Sequence, residues 1–124
     1  MAKEPLKVLT ESMFYVLLSL LRQDRCGAEI VAYVDDTTAG RVQLGPGTLY
    51  AILAKFQEEE LIRETAVAGR KRTYHLTERG AAMFRRETAR LRLCVADGEN
   101  EETLARRTLE GEGPRALPEK EEET

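Results

Sequence analysis

The stretch Pro46–Phe56 (PGTLYAILAKF) constrains the fold more than any other part of the chain. Leu49, Ile52, Leu53 and Phe56 recur with the spacing of one helical face. Gly45 is an acceptable N-cap, and Pro46 suits the first helical position, where a missing N–H is harmless. The opposite face carries Thr48, Tyr50, Ala51, Ala54 and Lys55, which are small, hydroxylated or cationic and never acidic. A helix with such a face has the size that the DNA major groove admits. An ordinary core helix with a solvated back has the same composition, so the flanking segments must decide.

Upstream, Thr10 or Ser12 can cap a first helix in which Met13, Val16, Leu17, Leu20 and Leu21 form one stripe. Phe14, Tyr15 and Leu18 thicken that stripe, so the helix must be covered on more than one side, by the core or by a second subunit. Cys26-Gly27-Ala28 opens a second helix with Ile30, Val31 and Val34 inward; Asp35-Asp36 oppose its dipole, so it stops nearby. The polar connection Thr37–Gly45 then leads into Pro46–Phe56, and the pair reads as a helix-turn-helix.

Downstream, Glu58-Glu59-Glu60 closes the third helix and Leu61-Ile62 returns the chain to the core. Arg63–Val67 and Arg72–Leu76 read as two strands, with Gly69 where a hairpin turn needs it and Tyr74 and Leu76 alternating with Thr73 and His75. The tip Gly69-Arg70-Lys71-Arg72 sets three consecutive cations on an exposed turn, which makes the hairpin a wing. Thr77 caps a fourth helix in which Ala81, Phe84, Thr88, Leu91 and Val95 form a heptad seam. A chain this small offers that seam no cover, so a homodimer is expected, with Asp97-Gly98 ending or kinking the helix. Residues 99–110 read as a short acidic helical segment and the last dozen as a disordered, solvated tail.

The expected fold is therefore mainly α: a winged helix-turn-helix of three helices and a two-stranded β-wing, followed by a long C-terminal dimerisation helix. The domains are a winged-helix DNA-binding domain at 1–77, a dimerisation helix region at 78–110 and an acidic tail at 111–124.

Charge distribution turns this architecture toward nucleic acid. The net charge is −3, yet residues 1–96 hold 15 Lys and Arg against 12 Asp and Glu, while residues 97–124 hold 4 against 10. Within residues 70–92, eight cations face only Glu78 and Glu87. Cations crowded on a hairpin repel one another and gain nothing from an apolar core, so they point to an anionic partner. Arg70, Lys71 and Arg72 are assigned to phosphate or the minor groove, and Thr48, Tyr50 and Lys55 to the major groove; Tyr50 as a packed core residue is the equal alternative. Arg79, Arg85, Arg86 and Arg90 read instead as solvated or paired between subunits.

Phe84, Thr88, Leu91 and Val95 are the candidate dimer interface. Met13, Leu17, Leu91 and Val95 are candidates for a pocket that takes a small apolar effector. Cys26 and Cys94 are too few for a disulfide framework and, with the lone His75, too scattered for zinc; both read as inert, with a redox role open at Cys94. No nucleophile–base set, paired carboxylates or phosphate-cradling glycine loop is present, so neither an enzyme nor a cofactor or metal is expected. The first residues lack a leader pattern and no run is long enough to span a membrane, so a cytoplasmic protein is expected. The competing class is a winged-helix module that binds protein rather than DNA.

Three motifs in order carry a family resemblance: Gly47-Thr48-Leu49-Tyr50, then Leu61-Ile62 after an acidic helix end, then Arg70-Lys71-Arg72-Thr73-Tyr74-His75-Leu76-Thr77-Glu78-Arg79-Gly80. Over about residues 10–95 the chain resembles the PadR family of winged-helix transcriptional regulators. The resemblance implies a dimeric repressor with a near-palindromic operator, paired through the long last helix. Ala51 stands where that family usually has Pro, and Glu60 where it usually has Gly. The tryptophans that hold flat aromatic drugs in some members have no counterpart here, since the chain has no Trp.

Overall fold

The structure, a computed structural model, describes residues 6–69 and 71–111. These fall into two units, one through Thr88 and one from Ala89. The elements run α1 (Glu11–Ser19), β1 (Arg25–Cys26), α2 (Gly27–Thr37), α3 (Pro46–Glu58), β2 (Ile62–Ala68), β3 (Lys71–Leu76) and α4 (Glu78–Leu109). The expected three helices, wing and long last helix are all present.

Thr10 caps α1, its hydroxyl accepting from the Met13 N–H at 3.2 Å. The helix ends at Ser19, so Leu20 packs into the core from beyond it, while Leu21, expected in the apolar stripe, is exposed. Gly45 and Pro46 start α3 as their chemistry dictates, and Leu49, Ile52, Leu53 and Phe56 are all buried. They meet Val16, Leu17, Ile30, Val34, Ile62 and Tyr74 in one core. Glu60 ends α3 in the left-handed conformation, with φ +62°. Its N–H reaches Gln57 O at 3.0 Å and the Leu61 N–H reaches Phe56 O at 2.8 Å, the paired bonds of a Schellman cap. A glycine would adopt this φ without strain; here a glutamate is held in it.

The expected two-stranded wing is the β2–β3 hairpin, and its sheet gains one further strand. Arg25–Cys26 forms a third strand, and the antiparallel order is β1-β3-β2 with Cys26 opposite Thr73. A two-residue strand has no alternation to read, which is why it escapes sequence inspection. On the other side Ala68 faces Lys71 across Gly69 and Arg70, and Gly69 has the positive φ (+61°) that a two-residue hairpin turn requires. Lys71 and Arg72 thus belong to the end of a strand rather than to the turn. Thr65 is the extra residue of a bulge between Glu64 and Ala66.

Thr77 joins three elements. Its N–H donates to Leu61 O at 3.0 Å, its hydroxyl to Glu60 O at 2.7 Å, and the same hydroxyl accepts from the Gly80 N–H at 3.0 Å, capping α4. A Cβ on Gly80 would lie 2.1 Å from Leu61 O, so this turn of α4 can touch the α3–β2 connection only through glycine. Glu87, two turns further on, is only 1% exposed, and its Oε1 accepts the buried Leu9 N–H at 2.9 Å. The described residues before α1 form neither helix nor strand, and this carboxylate pins them at Leu9.

From Ala89 onward α4 continues without interruption to Leu109. The helix does not end at Asp97-Gly98, and residues 99–109 extend it. A lone glycine in a helix interior costs roughly 1 kcal/mol against alanine, too little to break a helix of this length. The acidic tail lies almost wholly outside the described residues. Among the described residues no helix is long and apolar enough to cross a membrane, and no cluster of His, Cys, Asp and Glu is arranged to hold a metal.

Candidate nucleic-acid interface

One open groove, of about 750 Å³, is lined by Cys26, Gly27, Ala28 and Glu29 at the start of α2, by Tyr50 on α3, and by Lys71, Arg72 and Tyr74 on β3. Strand β1 is what brings these elements together. It hydrogen-bonds to β3 and runs directly into α2, so the first turn of α2 sits beside the base of the wing. The Tyr50 hydroxyl comes within 3.7 Å of where a Cβ on Gly27 would stand.

Tyr50 is 60% exposed, so the core alternative for it is excluded. Thr48, Ala51 and Ala54 are also exposed, and the small, uncharged face read from the sequence is the free face of α3. Lys55 stands apart from the groove. Its ammonium lies 3.5 Å from Glu59 and 3.8 Å from Glu58 near the C-terminal end of the helix, and its side chain is largely covered. Lys71 and Arg72 are both exposed, with the Arg72 guanidinium 3.3 Å from Glu64 across the hairpin. Such an exposed pair is weak and readily exchanged for a phosphate. Arg70 lies outside the described residues.

Glu29 is the residue that sequence reading missed here. Its Oε1 accepts the Cys26 N–H at 2.9 Å, closing a capping box at the start of α2. That bond, with the Cys26 side chain and the charges of Lys71 and Arg25, holds the carboxyl below its ordinary range. The Glu three residues after a helix start was a readable signal, but Cys at the cap is unusual and hid it. Tyr74, beneath the groove, is buried, and desolvation pushes its phenol up, so it stays neutral.

The other expected sites are distributed as follows. Phe84 is half-buried and stacks on Phe14, with ring centroids 4.9 Å apart, and the Thr88 hydroxyl donates to Phe84 O at 3.0 Å. Leu91 and Val95 are 38% and 57% exposed. Of the remaining effector-pocket candidates, Met13 is half-buried and Leu17 is sealed in the core. Cys26 is buried and Cys94 exposed, both as free thiols. His75 makes a 2.8 Å contact to Asp24 on the surface.

Comparison with known proteins identifies the family and the fold. The transcriptional regulator PadR-like family matches residues 16–86, more than half of the chain. A transcriptional regulator from Clostridium thermocellum superposes with a TM-score of 0.66 at 19% identity, covering 75% of this chain and 97% of that one. A PadR family transcription regulator from Clostridium difficile gives 0.63 at 18% identity, covering 76% and 99%. A PadR-like regulator from Bacillus cereus gives 0.60 at 20%, covering 71% and 87%. In sequence, an uncharacterized 37.1 kDa protein in transposon TN4556 of Streptomyces fradiae is 32% identical over 77 residues, 62% of this chain; the chain spans only 22% of that relative's length. The chain belongs to the PadR-like family of transcriptional regulators, DNA-binding proteins of the winged-helix fold.

Proposed function

We propose that this regulator acts as a homodimeric, sequence-specific repressor, with α3 in the major groove and the β2–β3 wing on phosphate or in the minor groove. The observation that carries this reading is the convergence of exposed Tyr50, Lys71 and Arg72 on a single groove that opens at the start of α2. Positive wing and neutral, hydroxylated helix face divide the labour: cations neutralise phosphate and set register, while Thr48 and Tyr50 meet base edges or phosphate. Lys55, already paired with Glu58 and Glu59, contributes least.

Two features support the dimer. Leu91, Leu93, Val95, Leu104 and Leu109 are large apolar side chains exposed along one helix, an arrangement that calls for cover. The charge of α4 is also divided: residues 78–93 hold five Arg against two Glu, and residues 94–109 hold four Asp and Glu against two Arg. Antiparallel pairing with a second copy sets Arg90 and Arg92 of each helix against the acidic stretch 97–102 of the other and leaves Arg79 and Arg86 outside the pairing. Two such subunits would read a near-palindromic operator with half-sites about 34–36 Å apart.

A mobility-shift titration across salt tests the reading, using operator fragments selected from genomic DNA. Affinity should fall by at least about tenfold between roughly 50 and 200 mM salt, and Lys71→Ala should reduce the log–log salt slope by about 1 on every sequence. Salt-independent binding would sink the phosphate assignment. Retention of a protein partner with no DNA retained at low salt would replace the repressor with an interaction module.

A further inference from the structure

A second cleft, which shares no residue with the DNA-facing groove, opens between the segment before α1, the end of α3 and the first turns of α4. It has a volume of about 540 Å³ and is lined by Leu6, Lys7, Glu59, Leu61, Arg79, Ala82, Met83 and Arg86. That volume lies in the range of small-molecule sites, about 300–1,000 Å³. We propose that this cleft binds a phosphate monoester carrying an apolar body.

The outer wall is a built feature. Residues 6–9 belong to no helix or strand, yet Leu9 is buried and its N–H is held by the buried Glu87 carboxylate at 2.9 Å. A carboxylate taken out of water and bonded to the Leu9 N–H fixes Leu6 and Lys7 against α4. The floor is apolar, made by buried Leu61 and Met83, and the Arg86 guanidinium lies over it with Nη2 3.0 Å from Met83 Sδ.

Charge selects the ligand class. Arg79 and Arg86 stand seven residues apart, two turns along one face of α4, with Lys7 facing them across the cleft. Among the described residues none of these three cations is in an ion pair. The one carboxylate in the lining, Glu59, is answered by the Lys55 ammonium at 3.5 Å. Three uncompensated cations above an apolar floor suit a dianion better than a monoanion. A phosphate monoester offers about −1.5 to −2 charge and three acceptor oxygens to two guanidinium forks, whereas a carboxylate leaves one or two cations unanswered. The apolar floor then takes the remainder of the molecule.

The experiment is calorimetric titration of the full chain with octyl phosphate below its micellar concentration, alongside inorganic phosphate and octanoate. Octyl phosphate should bind at least about tenfold more tightly than either, since it alone carries both the dianion and the apolar body. The double variant R79Q/R86Q, and separately Lys7→Gln, should each weaken octyl phosphate by about tenfold or more while leaving the melting temperature unchanged. Arg92→Gln, on α4 outside the cleft, should leave the affinity as it is. The proposal is overturned if octanoate binds as well as octyl phosphate, if inorganic phosphate does, or if R79Q/R86Q still binds. It is overturned equally if R79Q/R86Q loses affinity for DNA of every sequence, which would make the cleft a phosphate contact for the double helix. Because DNA binding is not needed for the calorimetry, failure of the repressor reading leaves this result standing, and the reverse holds as well.

Discussion

Two glycines on the same helix have opposite meanings, and they divide α4 into two regions. At Gly80 an added Cβ would meet Leu61 O at 2.1 Å and Leu76 Cδ1 at 2.6 Å; at Gly98 it would meet nothing within 4 Å. The neighbouring residues follow the same division. Gly80, Met83 and Glu87 are buried, whereas every residue from Leu91 to Arg107 is exposed. The first region is shaped by what it touches and the second only by its own hydrogen-bond ladder. One helix therefore contains a stretch whose sequence is dictated by packing and a stretch whose apolar residues are left uncovered by the described residues.

Substitutions can break or sharpen that contrast. Gly80→Ala should have the largest effect, destabilising the unit through Thr88 by about 3 kcal/mol or more in chemical denaturation, because the methyl group collides with backbone that cannot yield. A cost below about 1 kcal/mol would mean that the α3–β2 connection can move aside. Next in size, replacing Leu91 and Val95 together by Asp should weaken the dimer on the order of 100-fold in analytical ultracentrifugation, given roughly 1.5–3 kcal/mol for each buried aliphatic side chain. An unchanged oligomeric state would remove the second copy as the cover of that face.

Gly98→Ala should act in the opposite direction from its counterpart. It should stabilise the distal helix by roughly 1 kcal/mol, read as slower amide exchange around residue 98, with no effect on the unit through Thr88. Destabilisation there would show that the glycine makes a close approach, as it would in the proposed dimer. The smallest effect is expected at Glu60→Gly, about 0.5–1 kcal/mol of stabilisation, since glycine relieves the left-handed φ of +62° while adding some unfolded-state freedom. A loss of stability would mean that contacts of the Glu60 side chain outweigh the strain.

Much of this was legible beforehand, for identifiable reasons. The apolar period of α3, the Gly45-Pro46 start, the Thr77 cap and the alternation around Tyr74 are local patterns, and each local pattern has few foldings compatible with it. The features that were missed depend on residues far away in sequence. Strand β1 exists because β3 lies beside it, and Glu87 reads as a solvated charge until Leu9, 78 residues earlier, presents its N–H. Asp97-Gly98 does not end α4, because a local helix-breaking signal is outweighed by the length of helix around it. Tyr50 was undecidable on a helical wheel, where its position borders the buried stripe; only the packed chain showed it facing outward.

The sequence by itself determined the winged-helix order, the buried face of α3, the basic wing and the family. Periodicity, caps and turns are short-range properties, and a hydrophobic stripe has only one way to leave water. Tertiary structure alone decided that β1 brings the start of α2 beside Lys71, Arg72 and Tyr50, and that Glu87 fastens the leading segment to form a second cleft. Those arrangements arise from hydrogen bonds between distant residues, whose partners are chosen by the packing of the core and are written in no local pattern.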